Sequence, residues 1–481
     1  MMSDVAEIRR TDIHAKAEQM TWSAAIVSFV ERWCPDAFVF VLLGVVLVAV
    51  ASFLHGASAA AVSNAFGKGF WTLIPFTMQM VFVALGGYVV ASSPPVATAI
   101  TWLAKLPKTS RGAVAFVAFV SILLSMLNWG LSIIFSGFFV REIARRRDLR
   151  LDYRAAGAAG YLGLGCMFTL GITSSAAQLQ ANASSIPASL MPISGIIGFE
   201  ETLLTWQNLL TVIIMTTVSI VVCYVTAPSA DKCVTAEDLK VSLDDEVPAE
   251  AATRPGEVFE FSPVLTVLVA ACLIGWLWET MKSGNPLITL SGLNTYNLIF
   301  LMLGLLLHWR PRSFLNAFGK GVPAISGVLL QYPFYAGIAY VLTKTPNAAG
   351  VTLSDSIAHV FVGVSKDPSV FSVLVSIYSG VLGFFIPSAG GKWILEAPYI
   401  LQAANDIHAH LGWTLMVYNI SETLPNFLNP FWMLPLLGIL GLKAKDLIGY
   451  SSIQFCVHFP IVVIIGAVLM RTFTYHPPIV H

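Results

Sequence analysis

The stretch Phe384-Phe385-Ile386-Pro387-Ser388-Ala389-Gly390-Gly391-Lys392-Trp393 lies inside an otherwise apolar run from Val370 to Leu401. Two glycines, a proline and a lysine interrupt what would otherwise read as one membrane-spanning helix. In hydrocarbon every backbone N–H and C=O has to be satisfied within the protein, so irregular backbone at membrane depth is tolerated only where it lines an enclosed cavity. The break therefore reads as one wall of a binding site. A second break, Asn128-Trp129-Gly130, interrupts the comparable run between Gly112 and Val140. Interruptions at matching places in two halves of a chain point to a binding site near the bilayer midplane.

Composition sets the class. The chain has 481 residues, 56% of them hydrophobic and only 11% charged, with a mean hydropathy of +0.75. Those values lie outside the range of soluble domains and predict an all-α polytopic membrane protein. The formal net charge is zero, so nothing points to nucleic acid as a partner. The six cysteines form no C-x-x-C pair and read as small buried hydrophobes. The run from Ala37 to Leu54 is too long for the core of a cleaved signal peptide and is followed by further spans, so no cleavage is expected.

Apolar runs of spanning length fall near 37–55, 70–92, 155–181, 203–227, 263–281, 293–308, 320–342, 412–440 and 451–470, which predicts nine full crossings. Two more runs, 112–140 and 369–401, do not fit as single crossings. At about 1.5 Å per residue the 29 residues of the first would make a helix about 44 Å long, against a hydrocarbon core of about 30 Å. Too long for one upright span and broken in the middle, each reads as a re-entrant hairpin. Basic residues flank the first on both sides: Lys105, Lys108 and Arg111 before it, Arg141, Arg145, Arg146, Arg147, Arg150 and Arg154 after it. With the N-terminus inside, 20 of the 27 lysines and arginines fall on the cytoplasmic face.

A repeat organises the chain. Asn64-Ala65-Phe66-Gly67-Lys68-Gly69 recurs verbatim as Asn316-Ala317-Phe318-Gly319-Lys320-Gly321, and Gln79 and Gln331 follow at equal distance. The assigned topology puts the first copy outside and the second inside. The expected plan is a cytoplasmic N-terminal segment 1–35, a first repeat 36–228, an acidic cytoplasmic linker 229–262, a connecting helix 263–281, an inverted second repeat 293–472 and a tail 473–481. Each repeat would hold a re-entrant hairpin and a broken helix, the layout of alternating-access transporters. The linker reads as flexible, and the proline-bracketed connector 94–111 as a short interfacial helix.

Several residues could carry the chemistry. An intramembrane ionisable group is a functional candidate by default, so Lys392 could neutralise a substrate carboxylate; alternatively it pairs with Glu396 one helical turn on. Gly390 and Gly391, beside Ser388, would let backbone N–H groups approach an anion at a helix start. Nucleotide binding is not expected, because Trp393 rather than Ser or Thr follows the lysine. Asn128, Trp129 and Gly130 mark the opposite hairpin tip, where Asn128 could bind a carboxylate or cation and Trp129, Phe384 and Phe385 could pack a short apolar tail, or all could serve helix packing. The broken helices add Thr173, Ser174 and Ser175 in one half and Asn419, Ser421, Glu422 and Asn426 in the other. Glu422, with Glu396, is a candidate coupling group that takes up and releases a proton. Gln79 and Gln331 either line the site or bond between helices. No metal-ligand spacing, G-x-S-x-G elbow or H-E-x-x-H motif is present, so neither a metal nor enzymatic activity is expected.

In these residues the chain resembles the bacterial short-chain fatty acid transporter family, the acetoacetate and butyrate uptake permeases of the wider ion-transporter superfamily. The resemblance is carried by Glu31-Arg32-Trp33-Cys34-Pro35-Asp36, Gly69-Phe70-Trp71, Gln79-Met80, Asn128-Trp129-Gly130 and Arg141-Glu142-Ile143-Ala144-Arg145-Arg146. It continues through Gln331-Tyr332-Pro333-Phe334-Tyr335-Ala336-Gly337-Ile338, Pro387-Ser388-Ala389-Gly390-Gly391-Lys392-Trp393, Pro430-Phe431-Trp432 and Asp446-Leu447-Ile448-Gly449-Tyr450. It implies import of small monocarboxylates across the bacterial cytoplasmic (inner) membrane by proton symport, in a homodimer with elevator-like movement. No cofactor is expected beyond a coupling proton or sodium ion. The alternative is a dicarboxylate or other organic-anion transporter, sodium-coupled; a channel or an intramembrane enzyme is a third reading, disfavoured by the paired hairpins and by the missing catalytic set.

Overall fold

The structure, a computed structural model, describes residues 37–243, 254–283, 292–429 and 431–478. The expected N-terminal segment, linker residues 244–253 and the Phe385 side chain lie outside the described residues.

The first half runs α1 (Ala37–Leu54), α2 (Ala59–Phe70), α3 (Ile74–Ala91), α4 (Pro94–Leu103), α5 (Ser110–Leu127), α6 (Trp129–Ala144), α7 (Tyr153–Leu162), α8 (Ser175–Ala181) and α9 (Trp206–Thr226). α10 (Val264–Ser283) connects the halves. The second runs α11 (Leu293–His308), α12 (Pro311–Gly321), α13 (Ser326–Lys344), α14 (Leu353–Val364), α15 (Pro368–Phe385), α16 (Ala389–Asp406), α17 (Leu411–Thr423), α18 (Leu434–Leu440) and α19 (Ala444–Met470). Local chemistry sets the boundaries. Asn128 is extended, which ends α5, and its side chain accepts the Leu131 N–H at 2.8 Å to start α6. Asp367, followed by Pro368 at the first helical position, caps α15 through the amides of Ser369 and Val370.

Among the described residues six helices are long and apolar enough to cross a membrane, seven if α12 and α13, bent by 56°, count as one span. One of the six is a hairpin arm, α5. The sequence predicts nine crossings, and the difference has a physical cause. α11 has only 16 residues, and the run expected at 412–440 is divided into α17 and α18, of 13 and 7 residues. Apolar side chains of α9 and α10, among them Ile213, Val225, Leu268 and Trp278, face outward, as lipid-facing positions require.

Helix pairings come in matched sets. α1 packs on α13 as α11 packs on α3, and α2 on α13 as α12 on α3. Each hairpin rests on the long helix of its own half, α6 on α3 and α16 on α13. The second arm of each hairpin also meets the outer piece of the other half's broken helix, α6 on α18 and α16 on α8. The repeated hexapeptide supplies two of these contacts. A Cβ on Gly321 would meet the Tyr88 ring at 3.1 Å, and one on Gly69 would collide with Tyr340, the residue at the equivalent register. Only glycine lets these helices approach so closely.

The hairpins enter from opposite ends. At the base of the first, Arg146 donates to the carbonyls of Ala104 and Pro107, and Arg141 to that of Ile439, just before α19 begins. At the base of the second, Arg471, just past the end of α19, donates to Ser369 Oγ at 3.1 Å. The 27 residues of α19 span about 40 Å between these points. The linker departs from expectation in its first part. Val234 N–H donates to Asp152 and Arg145 to the Leu243 carbonyl, so the chain up to residue 243 is seated on the basic base of the first hairpin rather than free.

Candidate functional site

Both hairpin tips and both helix breaks meet in one place. Between α7 and α8 the first broken helix passes through a π-helical turn, Gly163–Met167, and a 3-10 turn, Phe168–Leu170, before a short irregular link. The second breaks at Leu424–Phe427. Side chains join the breaks: Asn419 Nδ2 donates to Ser174 Oγ at 3.0 Å, the Thr423 and Thr169 hydroxyl oxygens stand 3.1 Å apart, and Tyr161 Oη donates to the Asn426 carbonyl at 3.3 Å.

At this junction lies a small cavity of about 20 Å³. Its polar wall comprises Ser175, Ser388, Tyr332 and Asn426, and its apolar wall includes Met80, Trp129, Leu164, Phe168, Val328 and Trp432. The Tyr332 phenol shares this wall with the Ser388 and Ser175 hydroxyls. Gly390 lets the second hairpin close on that hydroxyl group, since a Cβ there would stand 3.0 Å from Tyr332 Oη and 2.9 Å from Ser175 Cβ. Ser388 precedes α16 without capping it through its side chain, so the amides of Ala389, Gly390 and Gly391 are first-turn donors with no intrahelical acceptor. Trp129 Nε1 and Asn426 Oδ1 are buried beside the cavity without a protein partner.

A cavity of about 610 Å³ lies next to it, opening at the exposed Lys320 and reaching Ser326, Gln331, Pro435 and Ile439. Trp432 lines both cavities. It sits edge-on to Trp129, centroids 5.6 Å apart, and its Nε1 donates to the carbonyl of Pro387 at the second hairpin tip at 2.6 Å. The indole is thus the partition between vestibule and inner cavity.

Lys392 and Glu396 are fully buried and paired, Nζ to Oε1 at 2.9 Å. The lysine also donates to the Ser379 carbonyl at 3.0 Å and lies 4.5 Å above the Tyr418 ring; Ser379 Oγ donates to the other Glu396 oxygen at 2.6 Å. The ammonium is consumed by these partners and does not line the inner cavity. Glu422 is also buried and near enough to interact electrostatically with both; Thr423 donates to its Oε1 at 3.2 Å, and its Oε2 has no partner. Two carboxylates thus surround one ammonium.

The remaining sequence candidates separate. Asn128 is fully engaged, capping α6 while donating to the Val83 carbonyl and the Tyr296 hydroxyl. Gly130 packs on the α3 backbone, where a Cβ would stand 2.8 Å from the Ala84 carbonyl, and Gly391 packs against Tyr335. Ser174 caps α8. Gln331 lines the vestibule and accepts from Tyr335, whereas its counterpart Gln79 lies outside the site, bonded to Asn294. Tyr332 and Trp432 are the site residues that sequence reasoning passed over. A signal for Tyr332 existed, since it follows Gln331 as Met80 follows Gln79, and both line the inner cavity.

Comparison with known proteins agrees with this geometry. The chain is 30% identical over 434 residues to a provisionally assigned short-chain fatty acid transporter of Escherichia coli K12, covering 89% of this chain and 94% of the relative. It is 29% identical over 458 residues to the like-named protein of Haemophilus influenzae, covering 92% and 98%. Among solved structures it is similar to the Alcanivorax borkumensis YdaH transporter (TM-score 0.58, 13% identity, 91% of this chain and 98% of that one). It is also similar to Neisseria gonorrhoeae MtrF, described with a class of antimetabolite efflux pumps (TM-score 0.51, 14% identity, 94% and 97%). These structural likenesses establish the fold. The family model for short chain fatty acid transporters matches residues 19–470, and this chain, a multi-pass membrane protein, belongs to that family.

Proposed function

We propose that the protein imports short-chain monocarboxylates, of the acetoacetate and butyrate type, across the bacterial inner membrane by proton-coupled alternating access. One observation carries this reading: the inner cavity places three hydroxyls and the free start of α16 on one wall and two indoles with apolar side chains on the other. The polar wall suits a carboxylate, which helix N-termini and hydroxyl donors favour. The apolar wall suits a short hydrocarbon tail. A dicarboxylate would need a second polar anchor, and the one lysine at this depth is already held by Glu396.

In this reading the halves are inverted repeats in the bilayer, supported by the matched pairings and by hairpins that enter from opposite ends of α19. The vestibule opens on the basic, cytoplasmic end, so the conformation is inward-facing. The inner cavity holds no more than a water-sized body, so it widens to admit substrate as Trp432 moves. Glu422 is the coupling group: around a single ammonium one of two buried carboxylates lacks a counter-charge, and a proton supplies it. The test is uptake of labelled acetate, butyrate, acetoacetate and succinate into liposomes under separately imposed proton and sodium gradients. Saturable, proton-driven uptake of the monocarboxylates is expected; sodium-driven uptake restricted to succinate would overturn the reading.

A further inference from the structure

Two residues of the inner cavity hold a buried polar atom that finds no partner within the protein. Trp129 and Asn426 are 9% and 4% exposed and both line this cavity, yet among the described residues nothing accepts from Trp129 Nε1 or donates to Asn426 Oδ1. No other residue of the lining carries such an atom. Groups of the same kinds beside them are engaged. Trp432, the second indole of the cavity, donates its Nε1–H to the Pro387 carbonyl. Asn128, one residue before Trp129, commits its amide to Leu131, Val83 and Tyr296. Packing holds the two orphans in place: Trp129 begins α6 and lies edge-on to Trp432, and Asn426 sits in the 3-10 turn at the break with its own carbonyl bonded to Tyr161.

The two atoms are chemically complementary. An indole N–H only donates and an amide oxygen only accepts. At about 20 Å³ the cavity takes a body the size of one water, so its walls stand close enough for a single oxygen to meet both. A hydroxyl accepts from the indole and donates to the amide, and satisfies the pair. A ketone oxygen satisfies the indole alone. A methylene in the same place leaves both atoms buried and unpaired, the situation in which a site rejects an analogue most strongly.

We propose that Trp129 and Asn426 make the inner cavity selective for short-chain hydroxy acids, binding the hydroxyl of the substrate while the wall of Ser175, Ser388 and Tyr332 binds its carboxylate. This rests on the carboxylate-transport reading above and narrows its substrate class. Carboxylate, hydroxyl and hydrocarbon tail are then held by three different parts of the cavity, so one enantiomer fits better than the other.

The experiment measures how well unlabelled butyrate, acetoacetate and the separate enantiomers of α- and β-hydroxybutyrate inhibit uptake of labelled butyrate into liposomes containing the full chain, for wild type, Trp129→Phe, Asn426→Leu and Tyr332→Phe. The readout is the ratio of inhibition constants, butyrate over hydroxybutyrate, which cancels any general loss of binding or of folded protein. In wild type one hydroxybutyrate enantiomer is expected to bind at least about 10-fold tighter than butyrate, with acetoacetate between them. Trp129→Phe keeps an aromatic ring against Trp432 but removes the N–H, and both it and Asn426→Leu should bring the ratio below about 3. Tyr332→Phe, on the carboxylate wall, should weaken both acids alike and keep the ratio. A wild-type ratio near one, a ratio retained in the Trp129 or the Asn426 variant, or a ratio lost equally in Tyr332→Phe would overturn the proposal while leaving carboxylate transport intact. Absence of saturable butyrate uptake in the wild type would overturn both.

Discussion

Replacing Lys392 with Met is the sharpest test of how the centre of the protein is held. The ammonium is wholly buried and has three partners: Glu396 at 2.9 Å, the Ser379 carbonyl at 3.0 Å and the Tyr418 ring at 4.5 Å. Methionine fills nearly the same volume, so little of the loss comes from packing. What remains is an uncompensated Glu396 near Glu422, and removing one partner of a buried ion pair costs about 3–5 kcal/mol. The purified Lys392→Met protein should therefore unfold several degrees below wild type in detergent. The double variant Lys392→Met/Glu396→Gln, which removes both charges, should recover most of that loss, because neutralising both members of such a pair is close to neutral. Thermal unfolding of the four members of the cycle, with butyrate KM measured on each, decides the matter. If Lys392→Met keeps the wild-type Tm and raises KM at least tenfold, the lysine contacts substrate and the structural reading is refuted.

Other expectations follow from the inner cavity. Tyr332→Phe and Ser388→Ala each remove a hydroxyl from the polar wall and should raise butyrate KM about 5- to 10-fold, the effect of about 1–1.4 kcal/mol from one hydrogen bond, with Tm unchanged in a parallel melt. Glu422→Gln should leave butyrate exchange intact while abolishing accumulation driven by an imposed pH gradient; accumulation at the wild-type level would remove Glu422 from coupling. Trp432→Ala joins the vestibule to the inner cavity and should let hexanoate compete with butyrate at least as well as acetate does, which an uptake-competition assay reads directly. Asn128→Ala deletes a helix cap and two buried hydrogen bonds. It should lower stability by at least about 1 kcal/mol from the cap alone, with little change in the KM of the protein that remains folded.

Much of the architecture was legible before folding because a bilayer constrains composition so strongly. Apolar run length identified the spans, and the breaks at Asn128 and Pro387–Gly391 marked both hairpin tips, since no helix survives that chemistry unless something lines it. The hexapeptide recurs in the sequence, and the packing reason for its last glycine became visible only when Gly69 and Gly321 were found against Tyr340 and Tyr88. Among the described residues fewer single helices reach spanning length than the nine runs expected, because a run such as 412–440 is divided into α17 and α18 and hydropathy does not register a 3-10 break.

The sequence by itself determined that this chain lives in a membrane, that one hexapeptide recurs in its two halves, and that two of its long apolar runs are interrupted. Those properties are written in local composition and register, which any window of the chain displays. The tertiary structure alone decided that Lys392 is spoken for by Glu396 and Ser379, that Gln79 stands apart while Tyr332 is central, and that Trp432 divides two cavities. It also gathered Glu201, His410 and His476 at the end where the tail returns. Such facts depend on partners far apart in the chain, as Ser174 and Asn419 are, and only packing brings those together.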